Sequence, residues 1–425
     1  MNDKSTATPV NSLREKFSRL LALVLPGIFL LGFNIGTGSV TSMAKAGAEH
    51  GMTLLWTILA SCLCTFFMIN LYGRYTLVTG ETALQAFRKH LHPAVGVFFI
   101  VALAAGVCAS VMGVMGIVAD ICYEWSKGLV EGGIKPIYFA GFFVSLVYYI
   151  FWNGKTEFFE RSLAVIVAVM SACFLANFFI MMPPVNDIAA GLIPSLPAQR
   201  ADSDTSSLLV MTSMIGTTVF SGLFIIRTTL VKEAGWGIAD IKKQRNDALF
   251  AVSLMFVISA SIMAAAAGSL YVEGISLSKA SQMIQLLEPL AGPLAASIFA
   301  VGLVAAGVSS QFPNILMLPW LLCDFNDSPR DMTLPKYRLM VFFISLLGLV
   351  VPLFDARPVA VMIASQVFNT FILPVTVACI FYLSNRKALM GKYTAGWGTN
   401  IALSAILLFA LFTSAVGMRS LWQLL

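Results

Sequence analysis

The reading of the chain turns on two polar, glycine-rich strings set inside long apolar runs. These are Asn34-Ile35-Gly36-Thr37-Gly38-Ser39 and Ile215-Gly216-Thr217-Thr218-Val219-Phe220-Ser221-Gly222. They share Ile-Gly-Thr. Each glycine weakens a helix by ~1 kcal/mol, and backbone groups freed at such a break cannot stay unsatisfied in lipid. A break at mid-depth therefore persists where it lines a cavity or touches a solute. The bland alternative is a stripe of small residues for close helix packing. For one string alone packing is the simpler reading. Two strings at matching places, five apolar runs apart, point to a binding site between inverted repeats of a secondary transporter.

The surrounding composition supports a membrane setting. Of 425 residues 58% are hydrophobic and only 11% charged, against about 25% charged in an average soluble domain, and mean hydropathy is +0.85. A soluble globule of this size, a disordered chain and a coiled coil all need more charge. A β-barrel would alternate, and these runs are continuous. The expectation is an all-α polytopic protein with eleven spans, at 20–44, 53–71, 94–121, 136–152, 162–182, 207–231, 248–272, 290–322, 339–354, 358–383 and 396–418. Residues 1–19 form a polar cytoplasmic tail without a cleavable signal. Residues 20–425 form one membrane domain, with repeats at 20–182 and 207–383 and an extra helix at 396–418. The connector from Pro183 to Ser206 is external and too short to fold alone.

Charge placement fixes an expected orientation. With the N-terminus inside, nineteen of the 27 Lys and Arg residues fall on the cytoplasmic side and seven on the other, while Arg227 lies within a span. This bias predicts an N-in, C-out protein of the plasma (inner) membrane. The net charge of +6 then reports topology rather than nucleic-acid binding. The seven cysteines are odd in number and sit in or beside apolar runs, so they read as small buried hydrophobes. His50, His90 and His92 fall in predicted loops, away from mid-membrane.

Further residues carry a family resemblance. After the first string come Ala46-Gly47-Ala48, Gly51 and Leu54-Leu55-Trp56, and Thr79-Gly80 opens the turn after the second span. Asp247 begins the seventh span, and the eighth carries Gly302-Leu303 and Ala306-Gly307-Val308-Ser309-Ser310. The tenth has Ser365-Gln366-Val367 and Leu373-Pro374, followed by Ser384 through Gly391. The chain resembles the NRAMP family of divalent-metal transporters, which have the LeuT-type fold of the wider APC superfamily. That resemblance implies a 5+5 inverted repeat with the first and sixth helices broken, alternating access, and a metal cation as substrate.

The departures fall on the family's metal site. Its Asp-Pro-Gly-Asn becomes Gly36-Thr37-Gly38-Ser39, so Gly36 replaces the Asp ligand and Ser39 the Asn. Its Ala-x-x-Met-Pro-His becomes 217–222, with Phe220 for the Met and Gly222 for the first His. Arg227 stands at the second His, and Cys108–Gly116 lacks the family's acidic residues. Gln366 alone is retained. A dehydrated Mn²⁺ or Fe²⁺ needs several nitrogen, sulfur or oxygen ligands with an anionic one among them. The expected site of Gly36, Thr37, Gly38, Ser39, Thr217, Phe220, Ser221, Gly222 and Gln366 offers hydroxyls, carbonyls and one amide. A Gly-x-Gly turn at a half-helix start also exposes N–H groups that suit a carboxylate. Arg227 has two readings, a fixed charge serving an anion or replacing a coupling cation, or a side chain snorkelling ~6 Å to the headgroups. Asn34 and Asn369 read as hydrogen-bonded packing residues, and Asp120 as interfacial.

The function expected is an NRAMP-related symporter in which the first and sixth spans move against the third, fourth, eighth and ninth. Its substrate is an atypical cation or a small organic carboxylate. A non-transporting sensor is the rival, against which stands the lack of a soluble signalling domain. An enzyme is not expected, since no acid–base set shares a membrane level. No cofactor is expected, coupling would be to H⁺ or Na⁺, the partners are a small solute or metal cation and the bilayer, and oligomeric state stays open.

Overall fold

Helix α1 (Thr37–His50) begins inside the first apolar run rather than at its edge. The computed structural model describes residues 36–127, 130–154, 171–172, 174–176, 178–179, 182–198, 205–280, 282–283 and 288–424. Asn34, Ile35, the rest of the first span before Gly36 and most of the fifth span lie outside the described residues. Gly36 is extended at φ −110° and ψ −172°, and the helix starts directly after it. It runs past the expected end at Ala44, because Lys45 and Glu49 pair at 2.7 Å on one buried face. Lys45 also donates to the Leu277 carbonyl at 2.8 Å, and the Ser276 hydroxyl to Glu49 at 2.9 Å. Lys45 and His50 are therefore helical and buried, not loop residues. Gly51, at φ 57°, ends the helix.

In the next helices, α2 (Leu55–Thr79) and α3 (Pro93–Ser126) run past the expected C-terminal ends, while α4 (Pro136–Trp152) keeps the expected bounds. The left-handed Gly80 (φ 71°) closes α2, a conformation that costs glycine nothing. His90 lies in a π-turn (Phe87–Leu91), and His92 caps α3 by accepting from the Ala94 amide at 3.1 Å. The connector between the fifth and sixth runs holds a short helix (Val185–Gly191), pinned where Trp56 donates to the Ser195 carbonyl at 3.0 Å.

The sixth run is two helices, α5 (Ser207–Thr218) and α6 (Ser221–Glu233), separated by Val219 and Phe220 in non-helical conformation. Every residue from Leu209 to Thr229 is buried. Beyond them lie α7 (Ile241–Ala266), α8 (Glu288–Phe325) and α9 (Pro335–Leu346). The tenth span, expected as one helix, is a second interruption of the same kind: α10 (Pro358–Thr370) and α11 (Leu373–Asn385). Its cause is Pro374, which has no N–H for the Thr370 carbonyl four residues back. The Ser414 hydroxyl of α12 (Trp397–Leu424) donates to that carbonyl at 2.6 Å instead.

Two groups of helices result. In one, α7 packs on α1 and α2, α6 on α2, and α5 on α1. In the other, α3 packs on α4 and α8, and α9 on α4 and α8. Helix α10 lies between the groups and touches both α3 and α5.

Candidate functional site

A cavity of about 50 Å³ opens where the interruptions meet. Helix α1 contributes Thr37, Gly38 and Ser39, preceded by Gly36; α3 contributes Gly106, Val107, Ser110 and Val114. Thr217 and Phe220 come from the sixth run, Ser310 and Asn314 from α8, and Gln366 and Asn369 from α10. None of these side chains carries a formal charge.

The glycines explain how the walls approach so closely. A Cβ on Gly36 would meet the Ser310 hydroxyl at 2.3 Å, and one on Gly38 would meet the Gln366 amide nitrogen at 2.6 Å. The space that a side chain at position 36 would fill is taken by a hydroxyl from the opposite helix group. At Gly216 a Cβ would come within 1.9 Å of the Gln366 backbone oxygen. Gly216 therefore serves close packing of α5 on α10 and does not line the cavity. The two readings of the glycine strings, packing and site, apply to different glycines.

Hydrogen bonding leaves some lining groups engaged and some open. Ser310 donates to the Ala306 carbonyl at 2.7 Å. The Gln366 amide donates to the Met362 sulfur and the Ser365 hydroxyl, both at 3.3 Å, and its oxygen accepts from the Asn369 amide at 3.4 Å. The Thr37 and Ser39 hydroxyls and the Asn369 oxygen are buried and have no partner among the described residues. A buried unsatisfied polar group costs ~1–3 kcal/mol, so three beside one cavity mark a place built for something polar.

Three of the expected site residues lie elsewhere. The Ser221 hydroxyl accepts from Thr376 of α11 at 2.8 Å, and Tyr72 of α2 donates to the Thr376 carbonyl at 2.8 Å. Ser221 thus fastens α6 to α11. Gly222 faces the Phe220 ring and Met317, which a Cβ would meet at 2.5 and 3.0 Å. Arg227 does not snorkel, because it is 0% exposed. Its guanidinium donates to Asp247 of α7 at 2.6 Å and to the Gln244 carbonyl at 3.4 Å. The Gln244 side chain donates in turn to the Ile69 carbonyl of α2 at 3.1 Å. This charge pair ties α2, α6 and α7 together, away from the cavity. Asp120 accepts from the Ala280 amide at 3.2 Å and fastens α3 to the segment before α8.

Asn369, read as a packing residue, both packs on Gln366 and lines the cavity. Gly106, Ser110 and Asn314 escaped the reading of the sequence as site residues, and Ser310 entered it only as part of a family motif. Their signal was spacing: Gly106/Ser110, Ser310/Asn314 and Gln366/Asn369 are small or polar pairs three or four apart, one helical turn on one face. No group of three or more His, Cys, Asp or Glu side chains is placed to hold a metal ion among the described residues.

Known proteins can be set beside this geometry. The sequence profile of the family described as "Natural resistance-associated macrophage protein-like", Nramp, matches residues 28–420. A "Divalent metal cation transporter MntH" of Bradyrhizobium diazoefficiens is 25% identical over 389 residues, covering 88% of this chain and 84% of the relative. One of Clostridium acetobutylicum is 24% identical over 424 residues, covering 95% and 94%. Among solved structures, the Eremococcus coleocola manganese transporter superposes with a TM-score of 0.73 at 17% identity, over 99% of this chain and 89% of that one. MhsT in complex with L-phenylalanine superposes with a TM-score of 0.61 at 15% identity, over 94% and 98%. These superpositions give the fold as the LeuT type, with its broken helices. On the match over 28–420, this chain is a member of the Nramp family.

Proposed function

We propose that the chain is a secondary transporter working by alternating access, with a substrate other than the divalent metal cation its relatives' names specify. The observation that carries this reading is the uncharged cavity at the meeting point of the interrupted helices, between two separately packed helix groups. Half-helices that end at mid-depth and line a cavity are the arrangement by which such carriers hold a solute. In this reading α1, α2, α5, α6 and α7 rock against α3, α4, α8 and α9, and the halves 20–182 and 207–383 are the two repeats. The names of the relatives, divalent metal cation and manganese transporters, support transport as the task.

The substrate reading comes from the donor set. A dication leaving water needs an anionic or soft ligand to offset its charge. The cavity offers hydroxyls, amides and backbone, and its positions 36, 39, 220 and 222 are Gly, Ser, Phe and Gly. Neutral hydroxyls and amides suit a polar organic solute or a weakly charged ion. Coupling to H⁺ or Na⁺, and the N-in, C-out orientation, belong to the same proposal.

The test is uptake into proteoliposomes of Mn²⁺, Mg²⁺, acetate and glycolate, each with and without an imposed H⁺ or Na⁺ gradient. Gly38→Trp, which fills the cavity, is the control. Saturable uptake of a carboxylate, abolished by Gly38→Trp, supports the reading. Saturable uptake of Mn²⁺ or Mg²⁺ abolished by the same change overturns the altered substrate. Absence of uptake of all four overturns transport.

A further inference from the structure

We infer that the cavity between α1 and α10 binds a small monocarboxylate that carries a hydrogen-bond donor on its second carbon. This inference rests on the transport reading for its physiological role but not for the binding itself.

The first ground is the sign of the local potential. Helix α1, fourteen residues long, starts at Thr37 on the cavity wall, and its N-cap Gly36 supplies no side-chain cap. The first-turn N–H groups of a helix have no acceptor within it, and the dipole places partial positive charge there. No carboxylate lines the cavity to reverse that sign. A helix start alone is not a site. Here two hydroxyls stand beside it, Thr37 at 0% and Ser39 at 2% exposure, both without a partner among the described residues. Hydroxyls and N–H groups together form a donor set for a carboxylate.

The second ground lies on another wall. The Asn369 oxygen has no partner among the described residues and lies where a Cβ on Gly106 of α3 would meet it at 2.7 Å. The Asn369 amide nitrogen is committed to Gln366 at 3.4 Å, which fixes the oxygen as the group left open. That acceptor needs a donor. A halide offers none, and acetate offers none once ionised. A hydroxyl or amino group on the carbon next to the carboxylate would supply it.

The third ground is size. A cavity of about 50 Å³ is roughly a third of the ~150 Å³ that holds a benzene molecule. Only a ligand of a few non-hydrogen atoms enters without moving Phe220. Glycolate is the smallest probe that satisfies both walls.

The experiment is equilibrium binding to the full-length protein in detergent micelles at fixed ionic strength, with glycolate, acetate and chloride as probes. Glycolate should bind tighter than acetate, and acetate tighter than chloride. Thr37→Val and Ser39→Ala should each weaken glycolate about tenfold, the effect of one lost hydrogen bond to a charged group. Asn369→Ala should bring glycolate down to the affinity of acetate. Monodisperse elution during gel filtration verifies that each variant is folded. No binding of either carboxylate, equal affinity for acetate and chloride, equal affinity for glycolate and acetate, or affinities untouched by both hydroxyl variants would each overturn the inference. Glycolate that binds as described but never enters proteoliposomes overturns transport and leaves the site standing. Uptake of another solute with no carboxylate binding does the reverse.

Discussion

Arg227 and Asp247 form a buried charge pair between two helices of the bundle. Both are buried, at 0% and 1% side-chain exposure, with 2.6 Å between guanidinium and carboxylate. Removing one partner of such a pair leaves an uncompensated charge in a low dielectric and costs ~3–5 kcal/mol, whereas replacing both with apolar groups is often close to neutral. Asp247→Ala should therefore lower the thermal unfolding midpoint sharply, and Arg227→Met with Asp247→Leu should restore much of it. If the single variant melts like the parent chain, the pair does not hold α6 to α7. The sequence displayed both charges but not their partnership. Twenty positions separate them, and a lone arginine in an apolar run is equally compatible with snorkelling. At the cavity, Gly36, Gly38, Ser39 and Thr217 were visible because glycine and hydroxyl runs break an apolar pattern. Ser110 and Asn314 were not, since one polar residue per turn of a long helix leaves that pattern intact.

At the scale of elements, interruptions are tolerated when another helix satisfies the freed backbone. In the tenth span Ser414 of α12 supplies the donor that Pro374 withholds from the Thr370 carbonyl. Ser414→Ala strands a buried acceptor and should cost about 1–3 kcal/mol in unfolding free energy. An unchanged midpoint would mean that the carbonyl has another donor. This break was less legible than the one in the sixth run, because no glycine marks it. In the sixth run, Thr65 of α2 donates to the Thr218 carbonyl at 2.8 Å, which plays the same part at the end of α5.

The turn after α2 supplies a pH-dependent element. Burial acts to raise the Glu81 carboxyl, but hydrogen bonds and charge from Lys89 at 2.5 Å and His90 at 2.7 Å outweigh it and hold the group below the ordinary glutamate range. A carboxyl depressed on folding contributes stability above its unfolded pKa, and that contribution is lost as pH falls through the folded value. Thermal midpoints should therefore drop on acidification below about pH 4.5, and less steeply in Glu81→Gln. Equal acid slopes for the two proteins would remove Glu81 from the account.

At the scale of the molecule, no charged side chain lines the cavity among the described residues. Ion pairs sit at the ends of helices or between helices of one group, as with Lys45–Glu49 and Arg227–Asp247. Arg330–Glu233 at 2.9 Å links the end of α6 to the segment after α8, spanning the two helix groups. Under the proposed alternating-access cycle, weakening that link by Glu233→Gln should speed the separation of the groups, readable as a higher uptake rate at saturating substrate. An unchanged rate would mean that the link does not restrain the motion. The sequence made the membrane class and the family legible through charge scarcity and scattered motifs. It could not supply the cavity's dimensions, because those depend on Ser310 and Gln366 occupying the space beside Gly36 and Gly38.

The central claim is that an uncharged cavity has replaced a dication site, and Mn²⁺ binding to the purified protein tests it most directly. Free Mn²⁺ can be counted by its room-temperature electron paramagnetic resonance signal as protein is titrated in. The account predicts no saturable binding below about millimolar Mn²⁺, with the signal tracking added metal as in a protein-free control. Stoichiometric binding at micromolar Mn²⁺ that disappears in Ser39→Ala would contradict it.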